Sequence, residues 1–236
     1  MKRILSIALV LICLLCFVGC KDNSTNDTDS RLDSTDNTTI KASEGLNIQP
    51  HPDGGYAVCG IGSCTDTDII IPQTYNNEKV LYIMRSAFEN CDNITHVTVP
   101  DEFKWIGDAA FEGCTSLVSI KLPTTFTDFY TRSVFGKCSS LTEVVFPENT
   151  KCINDFAFED CTSLKNITLP TSLTEISNAA FSGANELKDV YYKGTKEQWK
   201  NVKIVNSYPD YQFTCDFTVH CTDGDLTYGG QDVGWQ

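Results

Sequence analysis

The feature that most constrains this chain is an internal repeat of about 23 residues. Five segments align on a phenylalanine, at intervals of 23, 24, 23 and 23 residues: Phe88, Phe111, Phe135, Phe158 and Phe181. A cysteine follows the first four phenylalanines at the third residue, and Ala184 takes that place in the fifth: Cys91, Cys114, Cys138 and Cys161. A unit this short cannot bury its own apolar face, so the units must stack to form a continuous core.

Two short apolar runs in each unit predict two strands. After each cysteine comes a leucine run, such as Leu117, Ile120 and Leu122, whose last two apolar residues alternate with period two, as a half-buried strand requires. A second run precedes each phenylalanine. We expect the phenylalanine side chain to fill the corner between the two strands. These runs end at Ile83, Ile106, Tyr130, Ile153 and Ile176. The third unit has one extra residue and no isoleucine there, which predicts a bulge.

The segments IGDAAFEGCTSLVSIKLP and INDFAFEDCTSLKNITLP resemble the BspA-like leucine-rich repeat family, also called the Treponema pallidum type. The resemblance covers about residues 46–236. It implies a mainly β fold, a right-handed leucine-rich-type solenoid of about five 23-residue coils with N- and C-terminal caps. The segment IIIPQTYNNEKVLYI resembles the family's first coil, and YYKGTKEQWKNVKI resembles its closing motif, in which Trp199 covers the last coil.

The N-terminus predicts export and lipid attachment. Lys2 and Arg3 precede an apolar run that ends at Gly19, too short for a comfortable membrane span. The sequence FVGC then resembles a bacterial lipobox, which implies removal of residues 1–19 and diacylation of Cys20. An ordinary secretory signal cleaved elsewhere is the alternative. The residues that follow are rich in Asn, Asp, Ser and Thr and cannot form a core, so they predict a tether.

The predicted organisation has five parts, in chain order. They are a lipoprotein signal peptide (1–19), a tether from lipidated Cys20 (20–45), an N-terminal cap (46–72), leucine-rich repeats with the closing motif (73–204) and a C-terminal cap (205–236).

The twelve cysteines do not predict a disulfide framework. Two leave with the signal and Cys20 is lipidated, so nine remain, and an odd number leaves at least one free thiol in a monomer. The repeat cysteines predict a buried series of small apolar thiols. Local disulfides are possible within two close pairs in the caps, Cys59 with Cys64 and Cys215 with Cys221.

Composition argues against catalysis and against nucleic-acid binding. The chain contains no nucleophile elbow, phosphate-binding glycine loop or metalloprotease His-Glu-x-x-His motif, so we predict no catalytic residues, no cofactor and no metal. The formal net charge of −13 would repel nucleic acid, which needs clusters of Lys and Arg.

Two faces of the predicted stack are candidates for binding. Aligned outward residues of the leucine-run strands would stand about 4.8 Å apart, a row suited to a peptide or a glycan. That row includes His96, Lys121, Glu143, Asn166 and Tyr191. On the second sheet, Tyr82, Trp105 and Phe129 would form an exposed aromatic row, unless the tether or a cap covers them or the bulge turns Phe129 inward. A merely soluble sheet face is the alternative for the first row.

These patterns favour a non-catalytic cell-surface lipoprotein that mediates protein–protein binding or adhesion, with a host or microbial protein as partner. The family resemblance implies adhesion-type roles for some members, an analogy at the level of the fold. A glycan-binding accessory lipoprotein, favoured by the aromatic row, and a structural envelope protein remain the alternatives.

Overall fold

Short strands dominate the structure, a computed structural model that describes residues 41–125, 131–206, 208 and 216–228. The strands, in chain order, are β1 (Asn47–Pro50), β2 (Tyr56–Gly60), β3 (Asp68–Ile70), β4 (Thr74–Tyr75), β5 (Glu78–Ile83), β6 (His96–Thr98), β7 (Trp105–Ile106), β8 (Ser119–Lys121), β9 (Glu143–Val145), β10 (Cys152–Ile153), β11 (Asn166–Leu169), β12 (Glu175–Ser177), β13 (Asp189–Tyr192), β14 (Lys203–Val205), β15 (Phe217–Cys221) and β16 (Gly224–Tyr228). One short helix, α1 (Lys196–Trp199), lies between β13 and β14.

The leucine runs form the first sheet. It consists of two parallel ladders, β3–β6–β8 and β9–β11–β13–β15, and β16 closes the second ladder antiparallel to β15. Between the ladders, the Thr142 amide donates to the Val118 carbonyl over a long 3.4 Å. This weakening falls beside the third unit, the one with an extra residue.

The apolar runs that precede the repeat phenylalanines form the second sheet. It consists of two ladders of three parallel strands, β2–β5–β7 at one end and β10–β12–β14 at the other. Residues 126–130, the site of the predicted bulge, lie outside the described residues. Within each described ladder, a strand pairs with the equivalent strand of the next repeat, as the alignment on phenylalanine predicts.

The repeat phenylalanines form an aromatic stack through the core. Phe88, Phe111, Phe135 and Phe158 are fully buried, and Phe181 at the end is nearly so. Adjacent ring centroids are 5.2, 5.6, 5.4 and 5.4 Å apart along the stack. The Phe88, Phe111, Phe135 and Phe158 amides donate to carbonyls of the following repeat at 2.8–2.9 Å, so backbone bonds set the ring spacing.

A tight corner turn surrounds each phenylalanine. Residues two before and two after it adopt positive φ in most repeats: Ser86, Ala109, Ser133 and Phe156 before it, and Asn90, Gly113, Lys137, Asp160 and Gly183 after it. At Gly113, where φ is +74°, a Cβ would stand 2.3 Å from the Asn90 side-chain oxygen, so glycine lets that side chain approach the backbone closely.

The repeat cysteines, here named the thiol ladder (Cys91, Cys114, Cys138 and Cys161), lie beside the aromatic stack. All four are free thiols, and all but the half-exposed Cys91 are fully buried. The thiols of the three buried members each donate to a phenylalanine carbonyl of the preceding repeat at 3.1 Å: Phe88, Phe111 and Phe135. These hydrogen bonds therefore connect successive repeats. Burial also raises the pKa of each of the three thiols.

The segment predicted as an N-terminal cap supplies a strand to each sheet. β2 pairs with β5 in the second sheet, and β3 pairs with β6 in the first. β1 adds an antiparallel edge to β2. The longer turn after Pro72 is the β4–β5 hairpin, whose two turn residues Asn76 and Asn77 both have positive φ, as a tight hairpin turn requires.

The segment that resembles the family's closing motif packs against the last repeat. Thr195 and Gln198 form a capping box that starts α1. This helix turns Trp199 into the core, where its ring meets Tyr192 edge-on at 5.2 Å. The indole N–H donates to the Tyr228 hydroxyl at 3.1 Å, which ties the helix to β16.

Thr150 is a buried polar residue at a position that other repeats fill with apolar side chains. Its counterparts two residues before β7 and β12 are the buried Phe103 and Leu173. The Thr150 hydroxyl is buried without a hydrogen-bond partner. Such a group costs about 1–3 kcal/mol.

We therefore expect Thr150→Val to raise the free energy of unfolding by about 1–2 kcal/mol, because it removes the unpaired hydroxyl at nearly constant volume. Urea denaturation followed by circular dichroism measures the change. The matched control is Ser177→Ala, which removes a buried hydroxyl that donates to Asp155 at 2.6 Å and should lower stability. A Thr150→Val chain less stable than wild type contradicts this account.

Candidate binding faces of the repeat stack

The outward face of the first sheet, here the first-sheet face, carries five predicted binding residues together. Central strand positions point inward and are buried, namely Val97, Ile120, Val144, Ile167 and Val190. Their neighbours on both sides therefore point outward, which places His96, Lys121, Glu143, Asn166 and Tyr191 on one surface. The predicted orientation is confirmed. Their role in binding stays a prediction.

Two large apolar side chains are exposed on this otherwise mostly polar face. Val145 is 56% exposed and Tyr191 is 45% exposed. In the ladder register both pair with Thr168, one on each side, so the two side chains stand two strand spacings, about 9.6 Å, apart. The Tyr191 ring also stacks on His220, with centroids 4.9 Å apart and an interplanar angle of 21°.

The N-terminal end of the first-sheet face is held by a polar contact between repeats. His96 Nδ1 lies 2.9 Å from Asp68 Oδ1, and the Thr95 hydroxyl donates to the same oxygen at 2.7 Å. Burial raises the pKa of Asp68, but these two hydrogen bonds and the charge of His96 outweigh it and lower the pKa overall. One ring nitrogen of His96 is therefore used in a contact within the protein.

The C-terminal end of the face has a histidine–carboxylate group that no sequence pattern indicated. His220 on β15 contacts Asp189 on β13 through Nε2 at 2.8 Å, and Asp225 on β16 through Nδ1 at 3.1 Å. The pKa of His220 is raised, first by the hydrogen bond that it donates to Asp189 and then by the hydrogen bond to Asp225 and the charges of both carboxylates, whereas burial lowers it. The signal that could have found this group is the register of the C-terminal strand with the last repeat.

The predicted aromatic row on the second sheet is not exposed as expected. Tyr82 and Trp105 are paired in register, which confirms the alignment, and Trp105 is 36% exposed. Tyr82 is only 6% exposed, because the His51 ring from the β1–β2 turn stacks on it at 3.9 Å. The prediction of an exposed Tyr82 is therefore wrong, and cap coverage is the reason. Phe129 lies outside the described residues.

The cysteines of the two close pairs in the caps, for which local disulfides were possible, are free where the structure describes them. Cys64 is buried in the core, whereas Cys59 is half-buried and donates to the Ala57 carbonyl at 3.7 Å, so the two thiols make separate contacts. Cys221 is also a free thiol. Its predicted partner Cys215 and the lipidation residue Cys20 lie outside the described residues.

Within residues 41–125, 131–206, 208 and 216–228, no group of three His, Cys, Asp or Glu side chains is placed to hold a metal ion. The same part of the chain contains no helix with the length and hydropathy needed to cross a membrane.

Comparison with known proteins identifies the class that this fold defines. The BspA type leucine rich repeat region, in six copies, matches residues 81–208, more than half of the chain. The chain belongs to the BspA-type leucine-rich repeat family. The match counts one repeat more than the five aligned on phenylalanine.

Solved structures of bacterial leucine-rich repeat proteins are similar to this one. A leucine rich cell surface protein from Faecalibacterium prausnitzii is 30% identical with a TM-score of 0.64, over 71% of this chain and 43% of that chain. The T. pallidum leucine rich repeat protein is 25% identical with a TM-score of 0.51, over 64% of this chain and 80% of that one. The pneumococcal vaccine antigen PcpA, at 16% identity and a TM-score of 0.51, shares the fold. No protein of curated function matched the chain.

Proposed function

We propose that this chain is a non-catalytic, lipid-anchored cell-surface protein that binds another protein through the first-sheet face. The observation that carries the proposal is the pair of exposed apolar side chains, Val145 and Tyr191, on a regular and mostly polar surface. Protein-binding surfaces commonly have a few large side chains that supply most of the energy, surrounded by polar groups that exclude water.

The geometry of the first-sheet face suits an extended polypeptide. Between Val145 and Tyr191, Thr168 provides a shallow polar position, and Asn166 and Glu143 line the neighbouring row. Alternate residues of an extended strand are about 6.6–6.8 Å apart, so the side chains of a bound segment can reach both apolar positions when it crosses the ladder obliquely. Backbone bonds between repeats hold the ladder rigid, so little ordering entropy is lost on binding.

Surface location and anchoring complete the proposal. The similar protein from Faecalibacterium prausnitzii is described as a cell surface protein. The lipobox resemblance at Cys20 supplies the anchor, since two or more acyl chains give stable membrane attachment. The polar residues 21–45 then place a right-handed stack of about five 23-residue coils, closed by caps, away from the membrane.

The alternatives have less support. A glycan-binding role depended on a row of three aromatic side chains, and His51 covers one of them, Tyr82. A purely structural role in the envelope gives no reason for exposing Val145 and Tyr191, whose burial would be favourable.

Photo-cross-linking on intact cells tests the proposal. Cells that produce the full chain would carry a photoreactive phenylalanine at Tyr191 or Val145. The matched control position is Lys151, an exposed residue just before β10 of the second sheet. We expect protease-sensitive adducts from the first two positions and none from Lys151. Equal adducts at all three positions, or none, contradict the binding face. In the same cells, Cys20→Ser should move the chain out of the membrane fraction, and retention there contradicts lipid anchoring.

A further inference from the structure

His220 links three strands at the C-terminal end of the first sheet. Its own strand β15 lies between β13, which carries Asp189, and β16, which carries Asp225. One ring nitrogen lies 2.8 Å from Asp189 Oδ1 and the other lies 3.1 Å from Asp225 Oδ1. The side chain therefore bridges the last repeat and both strands of the terminal hairpin.

This geometry selects one protonation state. A neutral imidazole has one N–H donor, and its second nitrogen is an acceptor. An ionised carboxylate only accepts hydrogen bonds, so a neutral His220 can bond one aspartate but presents a lone pair to the other. Only the imidazolium can donate to both. The contacts to Asp189 and Asp225 are thus complete when His220 is protonated and broken on one side when it is not.

We propose that His220, Asp189 and Asp225 form a pH-sensitive clamp that fastens the β15–β16 hairpin to the last repeat. The charged groups that face the ring are Asp189 from β13 and Asp225 from β16, and Tyr191 from β13 stacks on it. Other contacts of the hairpin, such as the buried Phe217 and Val219, do not titrate. Deprotonation therefore loosens the hairpin without unfolding the stack.

The direction of the pH dependence follows from linkage. The folded-state pKa of His220 is raised, first by the hydrogen bond to Asp189, and burial opposes this. A group with a raised pKa contributes stability that is fully present below its unfolded value, about 6.5, and is lost as pH rises through the folded value. The hairpin is therefore held most firmly under mildly acidic conditions and loosens as the medium becomes neutral to alkaline.

The clamp also acts on the first-sheet face. Tyr191, whose ring stacks on His220, is one of the two exposed apolar side chains there. When two carboxylates fix the His220 ring, that ring gives Tyr191 a rigid support. The clamp therefore pre-organises the Tyr191 side chain at pH values below the folded-state pKa of His220. This second consequence rests on the proposed function, whereas the clamp itself does not.

Nuclear magnetic resonance of the full chain tests the clamp directly. His220 should titrate above about 6.5, the value of an unperturbed histidine. Asp225→Asn should lower the pKa of His220, because it replaces a charged acceptor with a neutral amide. A His220 pKa at or below about 6.5, or one unmoved in Asp225→Asn, overturns the clamp.

Amide hydrogen exchange of the hairpin provides the structural readout. Between about pH 5 and pH 8, after correction for intrinsic exchange rates, protection of β15 and β16 amides should fall about two- to fivefold, as expected for a partly exposed ion pair. His220→Gln should remove this pH dependence, and His96→Gln should preserve it. Protection with the same pH dependence in His220→Gln overturns the proposal. A clamp that titrates as expected, with no cross-linking at Tyr191 at any pH, contradicts only the proposed function.

Discussion

Replacing Phe135 with alanine lowers the free energy of unfolding by about 3–5 kcal/mol, and Phe158→Ala does the same. Both rings are fully buried, and each has a phenylalanine stacked on both sides. Truncation removes the apolar contacts and leaves a cavity that the neighbouring backbone cannot close, because hydrogen bonds between repeats hold the corners at a set spacing. Urea denaturation followed by circular dichroism measures the loss.

The matched control for this experiment is Tyr75→Ala. Tyr75 is also aromatic but is 41% exposed near the start of the stack, so its loss should change stability by no more than about 0.5–1 kcal/mol. Since each repeat contacts only its neighbours, a central truncation also lowers the cooperativity between the two ends of the stack. Unfolding midpoints of Phe135→Ala and Phe158→Ala that equal the wild-type midpoint contradict the repeat alignment.

We expect the three buried members of the thiol ladder to be alkylated far more slowly than an accessible cysteine. Burial raises the pKa of Cys114 and Cys161 to about 12, and it raises the pKa of Cys138 as well. Only the thiolate is nucleophilic, so at about pH 8 a rise from a pKa near 9 to about 12 lowers its population roughly a thousandfold. Each S–H group also donates a hydrogen bond to a phenylalanine carbonyl. We expect alkylation of these three cysteines to be limited by unfolding.

Iodoacetamide labelling with mass spectrometry of each cysteine measures this protection. The control is Cys91, which occupies the same position in the first aligned repeat but is only half-buried, so it should react first. In denaturant, all four thiols should react alike. Equal native-state rates for Cys91 and Cys138, or a disulfide between any two ladder members in the folded chain, contradict the account.

Repetition is the reason that much of the core could be predicted from the sequence. A residue type that recurs at one position of every unit must occupy equivalent environments in a stack, so the phenylalanines, the ladder thiols and the inward valines and isoleucines were all assignable. The outward placement of His96, Lys121, Glu143, Asn166 and Tyr191 follows from the same alternation. The pairing of Tyr82 with Trp105 follows from the alignment as well.

Contacts that repetition does not generate could not be predicted. His51 comes from a hairpin turn outside the aligned units, and its ring position over Tyr82 depends on how β1 and β2 cross the end of the stack. Cys59 and Cys64 are close in sequence, but β2 and the following corner direct the two thiols to separate environments. Each of these is a local packing result at an end of the stack.

The sequence by itself therefore determined the architecture, the buried phenylalanines and thiols, and the row of side chains that faces outward, because a period of about 23 residues permits one register between neighbouring strands. Only the tertiary structure decided which outward side chains stay accessible. His51 buries Tyr82, whereas Val145 and Tyr191 remain exposed. It also brought His220 between Asp189 and Asp225, since that contact requires the terminal hairpin to dock beside the last repeat. The cover over Tyr82 and the contacts of His220 depend on segments that lie outside the repeat, and periodicity contains no information about them.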